Sequence, residues 1–64
     1  MTKKDFELIA LAIKGTRYNP VPQGEAVFAA GVNAACDEMT DVFAAVFAAD
    51  NPRFNKARFI AACK

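Results

Sequence analysis

A chain of 64 residues makes one domain and buries a smaller fraction of its surface than a large protein does, so a disulfide, a metal or a second chain usually adds support. There is no His, and two cysteines, Cys36 and Cys63, are too few for a Cys-only zinc site; they read as buried free thiols, not as a disulfide framework. A net charge of +1 lacks the footprint of a nucleic-acid binder and equally that of an acidic DNA mimic, and the longest apolar run, Val42 to Ala49, falls far short of the about 20 residues that span a membrane.

The first element runs over about residues 3–14. Thr2 and Asp5 have the spacing of a capping box, and Phe6, Ile9, Ala10 and Ile13 fall on one helical face. Lys14 suits the negative end of the helix dipole, and Gly15 stands where a helix C-terminus prefers glycine. Residues 15–24 form the linker. Pro20 and Pro22 exclude helix and central strand there and stiffen the path, and Tyr18 is expected to pack its ring over the helices.

The second helix spans about residues 24–50. Phe28, Val32, Ala35, Met39, Val42 and Val46 step by four and three, the spacing of a helix-packing seam, with Cys36, Phe43 and Phe47 widening it on one flank. Asn33, Asp37, Thr40 and Asp41 lie opposite among Ala26, Ala30, Ala34, Ala44 and Ala48, which reads as an alanine-rich solvent side. Gly31 and Ala35 read as the mark of a close helix crossing. Asn51 and Pro52 end this helix. Asn55 then caps a short third helix over about residues 56–63, with Phe54 and Phe59 placed as a hydrophobic staple. The expected architecture is an all-α three-helix domain over residues 1–64. Its third helix folds back toward Met39, Val42, Phe43 and Val46.

Little in the chain suggests catalysis. Without His the commonest general base is missing, Cys36 lies mid-helix on the apolar side, and Cys63 sits where the chain would fray. Asp37, Glu38 and Asp41 read as a solvated face, answered by Arg53, Lys56 and Arg58 from the same or a second chain; a cation site would need a loop signature that is absent. The basic patch of Arg53, Lys56 and Arg58 is too small, and the third helix too short, for a helix-turn-helix reader. No cofactor is implied. The glycines make no phosphate loop. Leu8 and Leu11 lie on the first helix opposite Phe6, Ile9 and Ile13, and a helix apolar on both sides is usually buried on both. This favours a homodimer over simple exposure, with Leu8, Leu11, Phe28, Val32, Met39 and Phe47 as the partner-facing set.

The opening Thr2-Lys3-Lys4-Asp5-Phe6-Glu7-Leu8-Ile9-Ala10 and the close from Asn51-Pro52-Arg53-Phe54-Asn55 to Phe59-Ile60-Ala61-Ala62-Cys63 resemble short, uncharacterised proteins of bacteriophages, prophages and other mobile elements. Asn55 stands where Asp is usual in that group. The resemblance covers about a third of the chain and implies a phage or mobile-element origin but no activity. The resulting expectation is a non-enzymatic protein of the cytoplasm. It would dock its helices on a host or phage protein, for example as an anti-CRISPR-type inhibitor of a host factor or defence system. A small nucleic-acid-associated regulator is one alternative, which needs Lys3, Lys4, Lys14, Arg17, Arg53, Lys56 and Arg58 to converge on one face; a protein with only a structural role is another.

Overall fold

The computed structural model describes all residues, Met1–Lys64, as three helices: α1 (Lys3–Thr16), α2 (Ala26–Asp50) and α3 (Lys56–Ala62). The capping box starts α1 as expected. The Asp5 N–H donates to Thr2 Oγ1 at 3.3 Å and the Thr2 N–H to Asp5 Oδ2 at 2.9 Å, so two otherwise orphan donors are satisfied. The bond from the Thr2 backbone, then the Thr2 side chain, holds the Asp5 carboxyl below its ordinary value.

Gly15 does not terminate α1. The helix continues through it, the Thr16 hydroxyl donates to the Ala12 carbonyl at 2.8 Å, and the Arg17 N–H closes on the Lys14 carbonyl at 3.2 Å. Arg17 then leaves in an extended conformation, with φ −67° and ψ 150°, so no left-handed glycine is needed at this exit. The position that needs one is Gly24, with φ 84°, in the turn closed by the Glu25 N–H on the Pro22 carbonyl at 3.2 Å. Glu25 makes no side-chain cap, and α2 starts directly from this turn.

At its far end α2 stops as expected. Asn51 is extended, its N–H bonds the Phe47 carbonyl at 2.9 Å, and its side-chain Oδ1 accepts the Arg53 N–H at 3.0 Å across Pro52. Asn55 caps α3 by accepting the Arg58 N–H at 3.0 Å, and the Phe54 and Phe59 rings meet at 5.5 Å as the staple requires.

The core joins Ala10 and Ile13 of α1, Cys36, Ala44 and Phe47 of α2, and Phe59 and Cys63. An aromatic cluster ties all three helices: Phe6 lies 4.8 Å from Phe47 and 4.7 Å from Phe54, and Phe47 lies 5.5 Å from Phe59. Two expectations change here. The packed face of α2 is Ala29, Cys36, Thr40, Ala44 and Phe47, about a third of a turn from the seam centred on Met39 at 100° per residue. And α3 folds against Phe47 and the small residues beside it, not onto Met39, Val42 and Val46. The reason is volume. The other core rings come from α1 and from Phe54 and Phe59, so the α2 positions facing them must be small for the axes to approach. Ala44 and Thr40, read as solvent side, are therefore buried.

Candidate interaction surface

With α2 turned this way, its expected seam lies on the outside. Phe28 is 61% exposed, Val42 55%, Val46 54% and Met39 40%; Ala35 is exposed, and Val32 alone is half-buried against the core. The stripe runs without a charged side chain for 19 residues, about 27 Å at 1.5 Å per residue. Phe43 borders it, stacked on Phe47 with ring centroids 5.7 Å apart and planes 17° apart. Phe28 is braced by the Tyr18 ring, edge-on at 5.9 Å. Of the residues expected to face a partner, Phe28 and Met39 lie on this stripe and Leu8 and Leu11 are exposed on α1. Phe47 is removed from the set: it is the hub of the aromatic cluster and buried. Gly31 marks no crossing within the chain, because a Cβ built on it meets nothing within 4 Å.

A monomeric soluble protein rarely exposes so continuous an apolar patch without using it. Ten large apolar side chains are exposed, against nine residues of any kind that are buried.

The polar flank of α2 has a different role from the one expected. Asp37 is answered by Arg17, not by Arg53, Lys56 or Arg58: Arg17 Nη1 bonds Asp37 Oδ1 at 2.6 Å, the one salt bridge in the structure. The same guanidinium donates through Nε to the Cys63 carbonyl at 2.6 Å and through Nη2 to Thr40 Oγ1 at 3.4 Å. Thr40 in turn donates to the Cys36 carbonyl at 2.8 Å. Arg17 thus ties the linker, α2 and the end of α3 at one point. Asn33 clamps the next residue: its Oδ1 accepts the Tyr18 N–H at 2.9 Å and its Nδ2 donates to the Tyr18 carbonyl at 3.2 Å. Neither device is legible in the sequence, since a lone Arg in a proline-containing linker has no periodicity to betray its target.

Of the basic patch, Arg53 and Arg58 line an open cleft of about 380 Å³ between the start of α1 and the α2–α3 joint. Lys3 joins them, Phe6, Phe54 and Phe59 form its apolar wall, and Glu7 is its one acid; Lys56 is exposed but not among the lining residues. Asn51 and Asn55 also border the cleft, while Pro52 is exposed at the bend. Cys36 and Cys63 are free and fully buried, so the end of α3 is packed and not frayed. No group of three or more His, Cys, Asp or Glu side chains is placed to hold a metal ion, and no helix is long and apolar enough to cross a membrane.

Among known proteins, no family model, no curated protein and no solved structure matches this chain.

Proposed function

We propose that this chain is a small non-enzymatic interaction protein of a phage or mobile element, which works by docking its helices on another protein. The observation that carries the reading is the uncharged stripe from Phe28 to Val46 on the outside of α2. A helix that presents Phe, Val and Met at heptad spacing to solvent has the form of a helix awaiting a partner surface. Leu8 and Leu11 on α1 supply a second, smaller apolar surface. The origin rests on the resemblance of the two chain ends to mobile-element proteins, and a host factor or defence system is the target such an origin suggests.

The test is affinity capture from the natural host with the wild type, with Met39→Glu, and with Leu8→Glu plus Leu11→Glu. A protein retained by the wild type and lost with one of the variants is the expected result. Retention that neither variant alters would overturn the reading.

A second reading is favoured by one observation, the convergence of Lys3, Arg53 and Arg58 on a single cleft. It is a small nucleic-acid-associated regulator. Against it, Arg17 is already committed to Asp37, and Lys56 is not part of the cleft. An electrophoretic mobility shift that is present at low salt and abolished at high salt would support this reading; no shift at low salt ends it.

A further inference from the structure

The stripe on α2 has an internal logic that identifies its occupant. Phe28, Val32, Ala35, Met39, Val42 and Val46 occupy alternating d and a positions of a heptad. Laid against a copy of itself in parallel register, this seam would set Ala35 against Ala35, leaving a void, and Phe28 against Phe28, a bulge. Turned antiparallel about its midpoint, it sets Phe28 against Val46, Val32 against Val42 and Ala35 against Met39. Each layer then pairs a larger residue with a smaller one or matches two of equal size, which is what an evenly filled helix interface requires. Antiparallel helix dipoles also oppose each other favourably.

Two further observations point to a second copy. The accessible surface is 4670 Å². A compact monomer of 6.9 kDa is expected to expose about 4000 Å² on the surface–mass scaling. The excess, roughly 700 Å², goes with an elongated shape, 43 × 17 × 15 Å, in which one long side of α2 is left uncovered. Gly31 is the other. In a helix interior glycine is among the least favourable residues, and here it meets nothing within its own chain. It flanks the seam beside Ala35, and in the antiparallel arrangement it comes opposite Ala45 of the other copy. At such a crossing, small residues let two backbones approach.

We propose that a second copy of this chain covers the stripe, forming an antiparallel α2–α2 dimer with its two-fold axis near Asp37. This rests on reading the stripe as a docking surface and names its partner. The dimer leaves Leu8, Leu11 and the cleft of Arg53 and Arg58 outside the seam.

The experiment is sedimentation equilibrium of the full chain at micromolar concentration, with circular dichroism to check the fold. The wild type is expected at twice the monomer mass. Met39→Glu and Val42→Glu, both exposed in the single chain, are expected to keep their helicity and to weaken association by about 100-fold or more, because each would bury an unpaired charge. Orientation is read by oxidation of variants with one added cysteine, Cys36 and Cys63 being fully buried: Phe28→Cys mixed with Val46→Cys is expected to cross-link, while Phe28→Cys alone does not, its two copies lying about 27 Å apart along the axis. A wild type that stays monomeric overturns the proposal, as does a dimer indifferent to Met39→Glu and Val42→Glu, or a Phe28→Cys variant that cross-links to itself. If the wild type is monomeric and Met39→Glu still abolishes capture of a host protein, the docking reading stands and the second copy falls. If the dimer forms as described and no capture depends on any of the variants, the reverse holds.

Discussion

The two apolar faces of α2 invert the usual relation between size and burial. The face turned to α1 and α3 carries Ala29, Cys36, Thr40 and Ala44, with Phe47 as its one large residue; the face turned to solvent carries Phe28, Met39, Val42 and Val46. The inner face is small because its neighbours bring the bulk, and small residues let three short helices close on one another. The outer face is large because nothing in its own chain fills the space beside it. Hydrophobicity alone would assign the two faces the other way round, and what decides is which side-chain volumes fit together.

The sharpest way to break the comparison is at Phe47, the one large residue on the inner face. Phe47→Ala removes the ring that Phe6, Phe43, Phe54 and Phe59 all adjoin. It is expected to destabilise by about 3–5 kcal/mol, enough to unfold most of a domain this size, measured by chemical denaturation.

The next effect tests smallness itself. Ala44→Leu should lower stability by about 1–3 kcal/mol through overpacking, whereas Ala34→Leu, also on α2 but exposed and away from the stripe, should change it by less than about 0.5 kcal/mol. Equal effects of the two would mean that the inner face is not closely packed.

The polar edge of the inner face comes next. Arg17→Ala is expected to cost about 1–3 kcal/mol. The Arg17 side chain is only 13% exposed and its loss strands the Cys63 carbonyl, whereas Thr40 keeps its bond to the Cys36 carbonyl and Asp37 is 69% exposed and screened by water, so their shares are small. Asp37→Asn should therefore cost much less than Arg17→Ala in the same thermal melt.

Asn55→Ala should cost about 1 kcal/mol by uncapping α3, and Asn55→Asp should be close to neutral, both read by denaturation. The smallest effect is at Asp5. Its carboxyl is held below the ordinary value, so its stabilising contribution is present above the pKa of the unfolded chain and is lost as pH falls through the lower, folded one. Amide exchange in the first turn of α1 should rise over that acid range in the wild type and show no such step in Asp5→Asn.

Much of the architecture was legible in the sequence because it is written in local signals. The Thr2–Asp5 box, the break at Asn51 and Pro52, the Asn55 cap and the Phe54–Phe59 staple each depend on residues a few positions apart, and each is found in the structure. The exit from α1 is not where Gly15 suggests, because one glycine in a helix costs only about 1 kcal/mol, which tertiary packing overrides. The orientation of α2 was not legible, since periodicity locates an apolar face but cannot say which of two will meet the rest of the chain. At the candidate surface, Leu8, Leu11, Phe28 and Met39 are exposed as a partner-facing role needs; Phe47 and, in part, Val32 were drawn inward by the rings around them. The partner of Asp37 was missed because the ion pair joins residues from linker and helix that no pattern connects.

The bond from Arg17 to the Cys63 carbonyl spans 46 positions of the chain. Closing so long a loop carries an entropy penalty that grows only slowly with length, so this one contact registers whether both ends of the fold are in place at once. α3 is too short to hold its helical form by itself, and without it α1 keeps α2 but loses Phe59 and Cys63 from the shared core. The guanidinium therefore acts as a coincidence detector: it finds all its acceptors only when linker, α2 and α3 have arrived together. A protein wired in this way is expected to melt in one step, with no stage at which α3 peels off and the remainder survives.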